Sequence, residues 1–154
     1  MIGQRNGCGA VLLTLTERVT RYEMIFKIEG KTSSAVTEAL NKLKHEYSEN
    51  FSQIFKSITS DTGTEFSELS KLETTGCKIY FTHRYSSSER GTNENHNGII
   101  RRFIPKGKLI EEILNDFLEH IKEWMNTLPR KILNYRTPEE LFENYLDQIY
   151  QINA

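Results

Sequence analysis

The chain carries only three aspartates, Asp61, Asp116 and Asp147. Asp61 follows the short β-prone run 57–60 and opens Asp61-Thr62-Gly63-Thr64-Glu65-Phe66. A strand tip there hands over to a loop, the position at which open α/β sheets gather ligands. A carboxylate so placed can hold a hard divalent cation that keeps most of its shell as water and phosphate. It can equally cap the helix expected next. The second candidate is Glu94, in Thr92-Asn93-Glu94-Asn95-His96-Asn97-Gly98. If a helix begins at Thr92, spacings of three and four residues bring Glu94, Asn97 and Arg101 onto one face. Glu94 also has a plainer reading, as a first-turn glutamate favoured by the helix dipole. Asp116 and Asp147 fall within amphipathic stretches near the C-terminus and carry no such context.

The net charge of -1 over 154 residues hides an uneven distribution. Residues 81–108 hold six basic and two acidic side chains, residues 109–154 four and nine, and the first eighty are balanced. One segment can therefore face a polyanion although the whole chain is near neutral. Its candidates for DNA contact are Arg84, Arg90, Asn97, Arg101, Arg102 and Lys106, with Tyr85 as a stacking residue. The plainer reading is a solvated charged loop and helix. His83 and His96 flank this segment and read first as surface histidines, with phosphate contact as the alternative. Cys8 and Cys77 lack a partner at metal-ligand spacing, so both read as small buried hydrophobes rather than as a disulfide or zinc site. The apolar runs are far shorter than the ~20 residues of a membrane span, and no signal-peptide core follows Met1; the expected location is cytoplasmic.

The elements that must position these residues follow from periodicity. Residues 11–16 and 22–28 read as an antiparallel strand pair, closed by Gly30. A helix capped by Thr32 or Ser33 carries Val36, Ala39, Leu40, Leu43 and Tyr47 at helical spacing. Residues 57–60 predict a strand, 64–75 a helix ended by Gly76, and 77–81 another strand. Residues 84–92 form a polar loop. A helix then runs from a Thr92 cap to Phe103, before Pro105. Residues 110–128 predict the longest helix, with Trp124 and Met125 on its core stripe. Thr137-Pro138-Glu139-Glu140 is a capping box that opens the last helix. Strand pairs alternating with helices imply a mixed sheet with helices packed on it, in a single domain spanning 1–154.

Three stretches together carry a resemblance. They are Ser60-Asp61-Thr62-Gly63-Thr64-Glu65-Phe66, then residues 85–101 from Tyr85-Ser86-Ser87-Ser88-Glu89-Arg90-Gly91-Thr92-Asn93-Glu94-Asn95 through Gly98 and Arg101, and Phe103-Ile104-Pro105-Lys106-Gly107. They resemble the catalytic core of DDE transposases of the insertion-sequence-thirty family. The likeness continues through Leu128-Pro129-Arg130-Lys131 and the run 134–142, and the opening 13–22 also fits, so it covers nearly the whole chain.

The resemblance implies an α/β, ribonuclease H-like fold in which two aspartates and a glutamate bind two Mg²⁺ or Mn²⁺ ions for DNA cleavage and strand transfer at insertion-sequence ends. By residue matching Asp61 is the second carboxylate and Glu94 the third, with Glu89 the rival for the third. Members carry the first aspartate on a strand just before the Ile-Gly that here is Ile2-Gly3, and no aspartate precedes Asp61. The expectation is therefore a core whose first strand is missing or incomplete, impaired alone, with an open sheet edge that invites a homodimer or a full-length transposase. Glu17 and Glu23 fall in the hairpin that follows rather than at the metal site. The rival expectation is a non-catalytic remnant that binds DNA or transposase and inhibits it; a nuclease of similar fold fits the 85–95 run less well.

Overall fold

Alternation of apolar side chains in two adjacent β-branched and aromatic runs makes a hairpin the starting unit of this fold. In the computed structural model, which describes residues 1–3, 9–82 and 91–152, β1 (Val11–Thr16) pairs antiparallel with β2 (Glu23–Ile28), Val11 opposite Ile28 and Thr16 opposite Glu23. The ladder runs on past the strand ends through Glu17 N–H donating to the Tyr22 carbonyl at 2.8 Å. Gly30, at φ 81°, turns the chain out of β2 through the left-handed region. A short antiparallel bridge joins Ile2 to the other edge of β1, where Ile2 and Leu12 exchange both backbone hydrogen bonds at 2.8 and 2.7 Å.

Period-two alternation gives the hairpin two apolar faces. Val11, Leu13, Met24 and Ile28 point into one core. It is shared with α1 (Ser33–Tyr47), the short α2 (Phe51–Ile54) and α5 (Pro138–Ile152). Leu12 and Ile25 point into a second core, with Ile2, Ile100, Ile104, Ile121 and Met125. That core is covered by α3 (Gly91–Phe103) and α4 (Asn115–Thr127). Tyr22 stacks on Phe142, rings 4.4 Å apart and 9° from parallel, tying the hairpin to α5. A second pair of strands, β3 (Ser57–Ser60) and β4 (Lys78–Phe81), runs parallel, Ser57 opposite Lys78.

The outcome is a mixed α/β architecture, as periodicity predicts, but the expected single mixed sheet is divided. Among the described residues β1–β2 and β3–β4 are separate two-stranded sheets. The predicted helix over 64–75 is two 3₁₀ segments, Thr64–Phe66 and Leu69–Thr75. Thr74 and Thr75 hydroxyls donate to the Lys71 and Leu72 carbonyls there, at 2.9 and 2.6 Å, and so compete with an α-helical ladder. Gly76 ends the segment at φ 87°, as expected.

The predicted helix over 110–128 is shorter. Ile110–Glu112 is a 3₁₀ turn, Ile113 and Leu114 are extended, and α4 begins at Asn115. Lys27 Nζ donates to the carbonyls of Glu111 and Ile113 at 3.1 and 2.8 Å, and the Glu111 carboxylate accepts the Ala10 N–H at 2.8 Å. The two carbonyls that Lys27 takes are acceptors that a continuous helix would have needed. Met125 is fully buried as expected, but Trp124 is 37 % exposed, its ring edge against Phe103 at 5.2 Å. The Thr137 box forms in both directions, each bond 3.1 Å. No helix among the described residues is long and apolar enough to cross a membrane.

Candidate functional site

Asp61 leaves the C-terminal end of β3, where Ile58 and Ser60 are buried and the backbone turns outward. Its Oδ1 accepts the Gly63 N–H at 3.2 Å, an Asx-type turn that aims the half-buried carboxylate beside the loop. Glu65 crowds the same glycine. A Cβ on Gly63 would lie 2.5 Å from Glu65 Oε2 and 3.1 Å from Asp61 Oδ1, so the two carboxylates flank one small residue. Glu65 is not among the carboxylates expected at the site, although the run Asp61-Thr62-Gly63-Thr64-Glu65-Phe66 contains it.

Glu94 stands exposed in the first turn of α3. The helix starts at Gly91, so Thr92 is a helical residue rather than a cap, and Arg21 Nη1 donates to its hydroxyl. A run of polar contacts holds this turn against β1. Thr14 Oγ1 donates to Asn97 Oδ1 at 3.1 Å, and Asn97 Nδ2 donates to Asn93 Oδ1 at 2.9 Å. Asp61, Glu94 and Asn97 all open onto one cavity of about 1040 Å³, which also takes in Thr14, Thr16 and Met1. The α-amino group of Met1 reaches this neighbourhood. Burial pulls its pKa below the ordinary value, and the negative charges of Asp61 and Glu65 partly oppose that.

Of the basic candidates, Arg101 points back toward the hairpin, Nη2 lying 3.5 Å from the Gly3 carbonyl, while Arg102 and Lys106 are exposed. Arg84, Tyr85 and Arg90 lie outside the described residues, as do His83, Glu89 and Cys8. Cys77 is buried as expected, and burial raises its thiol pKa.

His96 departs from expectation. It is 2 % exposed, with Nδ1 2.7 Å from Oε2 of the fully buried Glu23. Thr16 Oγ1 donates to the same carboxylate oxygen. Asn126 Oδ1 accepts the Glu23 N–H at 2.8 Å, and its Nδ2 donates to the Glu23 carbonyl at 2.9 Å. Glu23 thus sits in the hairpin, as expected, and there it ties β2 to α3 and α4. Arg130 Nη2 donates to the Met125 carbonyl at 2.9 Å, and burial lowers its pKa while the Glu23 charge counteracts this. The signal for this cluster was parity: Glu23 shares a face with Ile25, and His96 lies one turn before Ile100.

No family model matches the chain. It is nevertheless 45 % identical over 132 residues to the probable transposase for insertion-like sequence element IS1161 of Streptococcus salivarius, across 86 % of this chain and 36 % of that protein. The transposase for insertion sequence element IS4351 of Bacteroides fragilis is 39 % identical over 152 residues, covering 94 % and 43 %. Transposase InsI for insertion sequence element IS30A of Escherichia coli is 36 % identical over 133 residues, covering 86 % and 34 %. The chain belongs to the insertion-sequence-thirty family of transposases. This family member spans less than half the length of the relatives it matches. The match extends over most of its own residues, so it rests on far more than the short motifs.

Proposed function

We propose that the chain is the DNA-processing core of an insertion-sequence transposase, acting in transposition by cleavage and strand transfer at element ends. In this reading Asp61 and Glu94 are two carboxylates of a ribonuclease H-like, DDE-type centre. The observation that supports it best is a shared cavity: a strand-end aspartate and a first-turn glutamate both line it, in a chain similar to insertion-sequence transposases over most of its residues.

The donor set fits a hard divalent cation. Asp61 and Glu94 offer oxygen alone, the donor type of Mg²⁺ and Mn²⁺ rather than of a thiolate- or imidazole-seeking ion. Among the described residues no group of three or more His, Cys, Asp or Glu side chains gathers to hold an ion, so water and phosphate oxygens would complete its shell. When bound, a pair of such cations supplies an activated oxygen nucleophile and neutralises charge on the transferring phosphoryl group. The protein's own share is positional. Asn97 and Asn93, locked to Thr14, fix the first turn of α3 and hence where Glu94 projects. The Asp61 turn onto Gly63 fixes the other carboxylate.

DNA is the partner, held by Arg102 and Lys106 together with Arg84, Tyr85 and Arg90 of the basic segment; Arg101 divides its guanidinium between DNA and the Gly3 carbonyl. Phosphate contacts of this kind give affinity without base reading, at a log–log salt slope of about -0.9 per contact. Titrating labelled duplex between roughly 50 and 200 mM salt tests the reading. The expected slope is steep, and Arg102→Ala with Lys106→Ala makes it shallower by about two units. Binding insensitive to salt contradicts it.

A further inference from the structure

The acidic C-terminal third of the chain is interrupted at one place. Of the four basic residues in 109–154, three, Arg130, Lys131 and Arg136, lie within a stretch of seven that contains no acidic residue. That stretch forms the loop between α4 and α5. Its neck is closed by the Arg130 N–H, which donates to the Arg136 carbonyl at 3.1 Å, and the Arg130 carbonyl accepts from the Leu133 and Tyr135 N–H groups, each at 2.9 Å. Leu133 is the buried anchor, and Arg130 is itself tied down by the bond from its Nη2 to the Met125 carbonyl. A loop whose ends meet and whose interior is packed holds its outward side chains in fixed places.

Two of those places have unusual backbone. Asn134 and Tyr135 stand consecutively in the left-handed region, at φ 54° and 63°. Asparagine visits that region readily, whereas for a bulky aromatic residue it is unfavourable. The Tyr135 ring recovers nothing for this within the fold: it is 70 % exposed and makes no hydrogen bond or ring contact among the described residues. Ile132 adds further apolar surface, 68 % exposed. Lys131 and Arg136 are exposed as well, and neither has an ion-pair partner among the described residues. Strain that the fold itself does not use points to contact with something outside it. An exposed ring between two unpaired cations suits a single nucleic-acid strand, whose bases stack on aromatics while its phosphates meet Lys and Arg. Arg136 also borders the cavity that Asp61 and Glu94 line, so a strand leaving this loop lies beside the carboxylates.

We propose that the 130–136 loop binds unpaired nucleotides of DNA, one base stacking on Tyr135 while Lys131 and Arg136 hold the adjoining phosphates. The proposal rests on the DNA-processing reading and deepens it: the substrate carries a single-stranded segment next to the carboxylates, gripped by a different element from the one that bears Arg102.

The test compares a blunt duplex with the same duplex carrying a short single-stranded tail, by fluorescence anisotropy with the intact chain. The tailed form should bind more tightly. Tyr135→Ala should weaken it about fivefold or more and leave the blunt form unchanged. Lys131→Ala with Arg136→Ala should make the salt slope for the tailed form shallower by about 1.4, at roughly -0.7 for each single-strand contact. With 5-iodouracil at the first unpaired position, irradiation should cross-link the tail to the Tyr135 peptide. Tyr135→Gly separates this role from folding: relief of the left-handed strain should raise the melting midpoint by about 2–4 °C while the preference for the tail is lost. Equal affinity of the unaltered chain for tailed and blunt duplex overturns the proposal and leaves the DNA-processing reading standing, whereas binding of neither form overturns both. Cross-links confined to other peptides, or a Tyr135→Gly chain that melts lower than the unaltered one, overturn the proposal as well.

Discussion

Glu23 and His96 show how much one buried pair can decide. A carboxylate with no exposure costs several kcal/mol to desolvate, and here the imidazole and the Thr16 hydroxyl, both on Oε2, offset that cost. Removing one partner leaves the other buried without compensation. His96→Ala should therefore lower the unfolding free energy in urea by about 3 kcal/mol, whereas Glu38→Ala, at an exposed pair with Lys42, should change it by less than about 0.5 kcal/mol. Equal effects would mean the buried pair contributes no more than a surface one. Cys77 gives a second expectation at this scale. Burial raises its thiol pKa, so the reactive thiolate is scarcer in the folded chain than in the unfolded one at the same pH. Alkylation at pH 8, followed at the Cys77 peptide by mass spectrometry, should be slow in buffer and fast in concentrated urea. Comparable rates in both would place the thiol at the surface.

At the scale of elements, caps and turns carry the predictions. Gly76 holds φ 87° with a Ser52 Cβ 3.2 Å from where its own Cβ would stand. Gly76→Ala should cost about 1–2 kcal/mol through the left-handed backbone, before any clash. Thr137→Ala removes the acceptor for the Glu140 N–H and should cost about 1 kcal/mol. Melting curves check both, and an unchanged midpoint in either case would show that the local geometry contributes nothing. Local chemistry of this kind is what made the fold legible: short apolar, β-branched and aromatic runs located β1, β2, β3 and β4, helical spacing located α3, and helical spacing with a cap located α1 and α5. Legibility failed where tertiary bonds outcompete propensity. Lys27 captures the carbonyls of Glu111 and Ile113, where the predicted long helix gives way to a 3₁₀ turn and extended backbone. Trp124 continues an apolar stripe that extends past the edge of the core it serves. Chain position and motif both mark Asp61 and Glu94 in the sequence, and the structure places both along one cavity. The buried role of His96 was not, because a histidine beside arginines in sequence looks solvated until its helix face is fixed against β2.

At the scale of the whole molecule, two cores lie on opposite faces of one hairpin, the described strands form two separate sheets, and Asp61 and Glu94 line a cavity that strands of both sheets border. Under the proposed function this cavity is a phosphoryl-transfer centre, with Asp61 and Glu94 as its oxygen donors. The most direct measurement is a Mn²⁺ titration followed by electron paramagnetic resonance, on the chain mixed with duplex DNA. Asp61→Asn and Glu94→Gln should each weaken Mn²⁺ binding at least tenfold with circular dichroism unchanged, while Asp116→Asn should leave it as it was. Both site variants binding Mn²⁺ as tightly as the unaltered chain would contradict the claim.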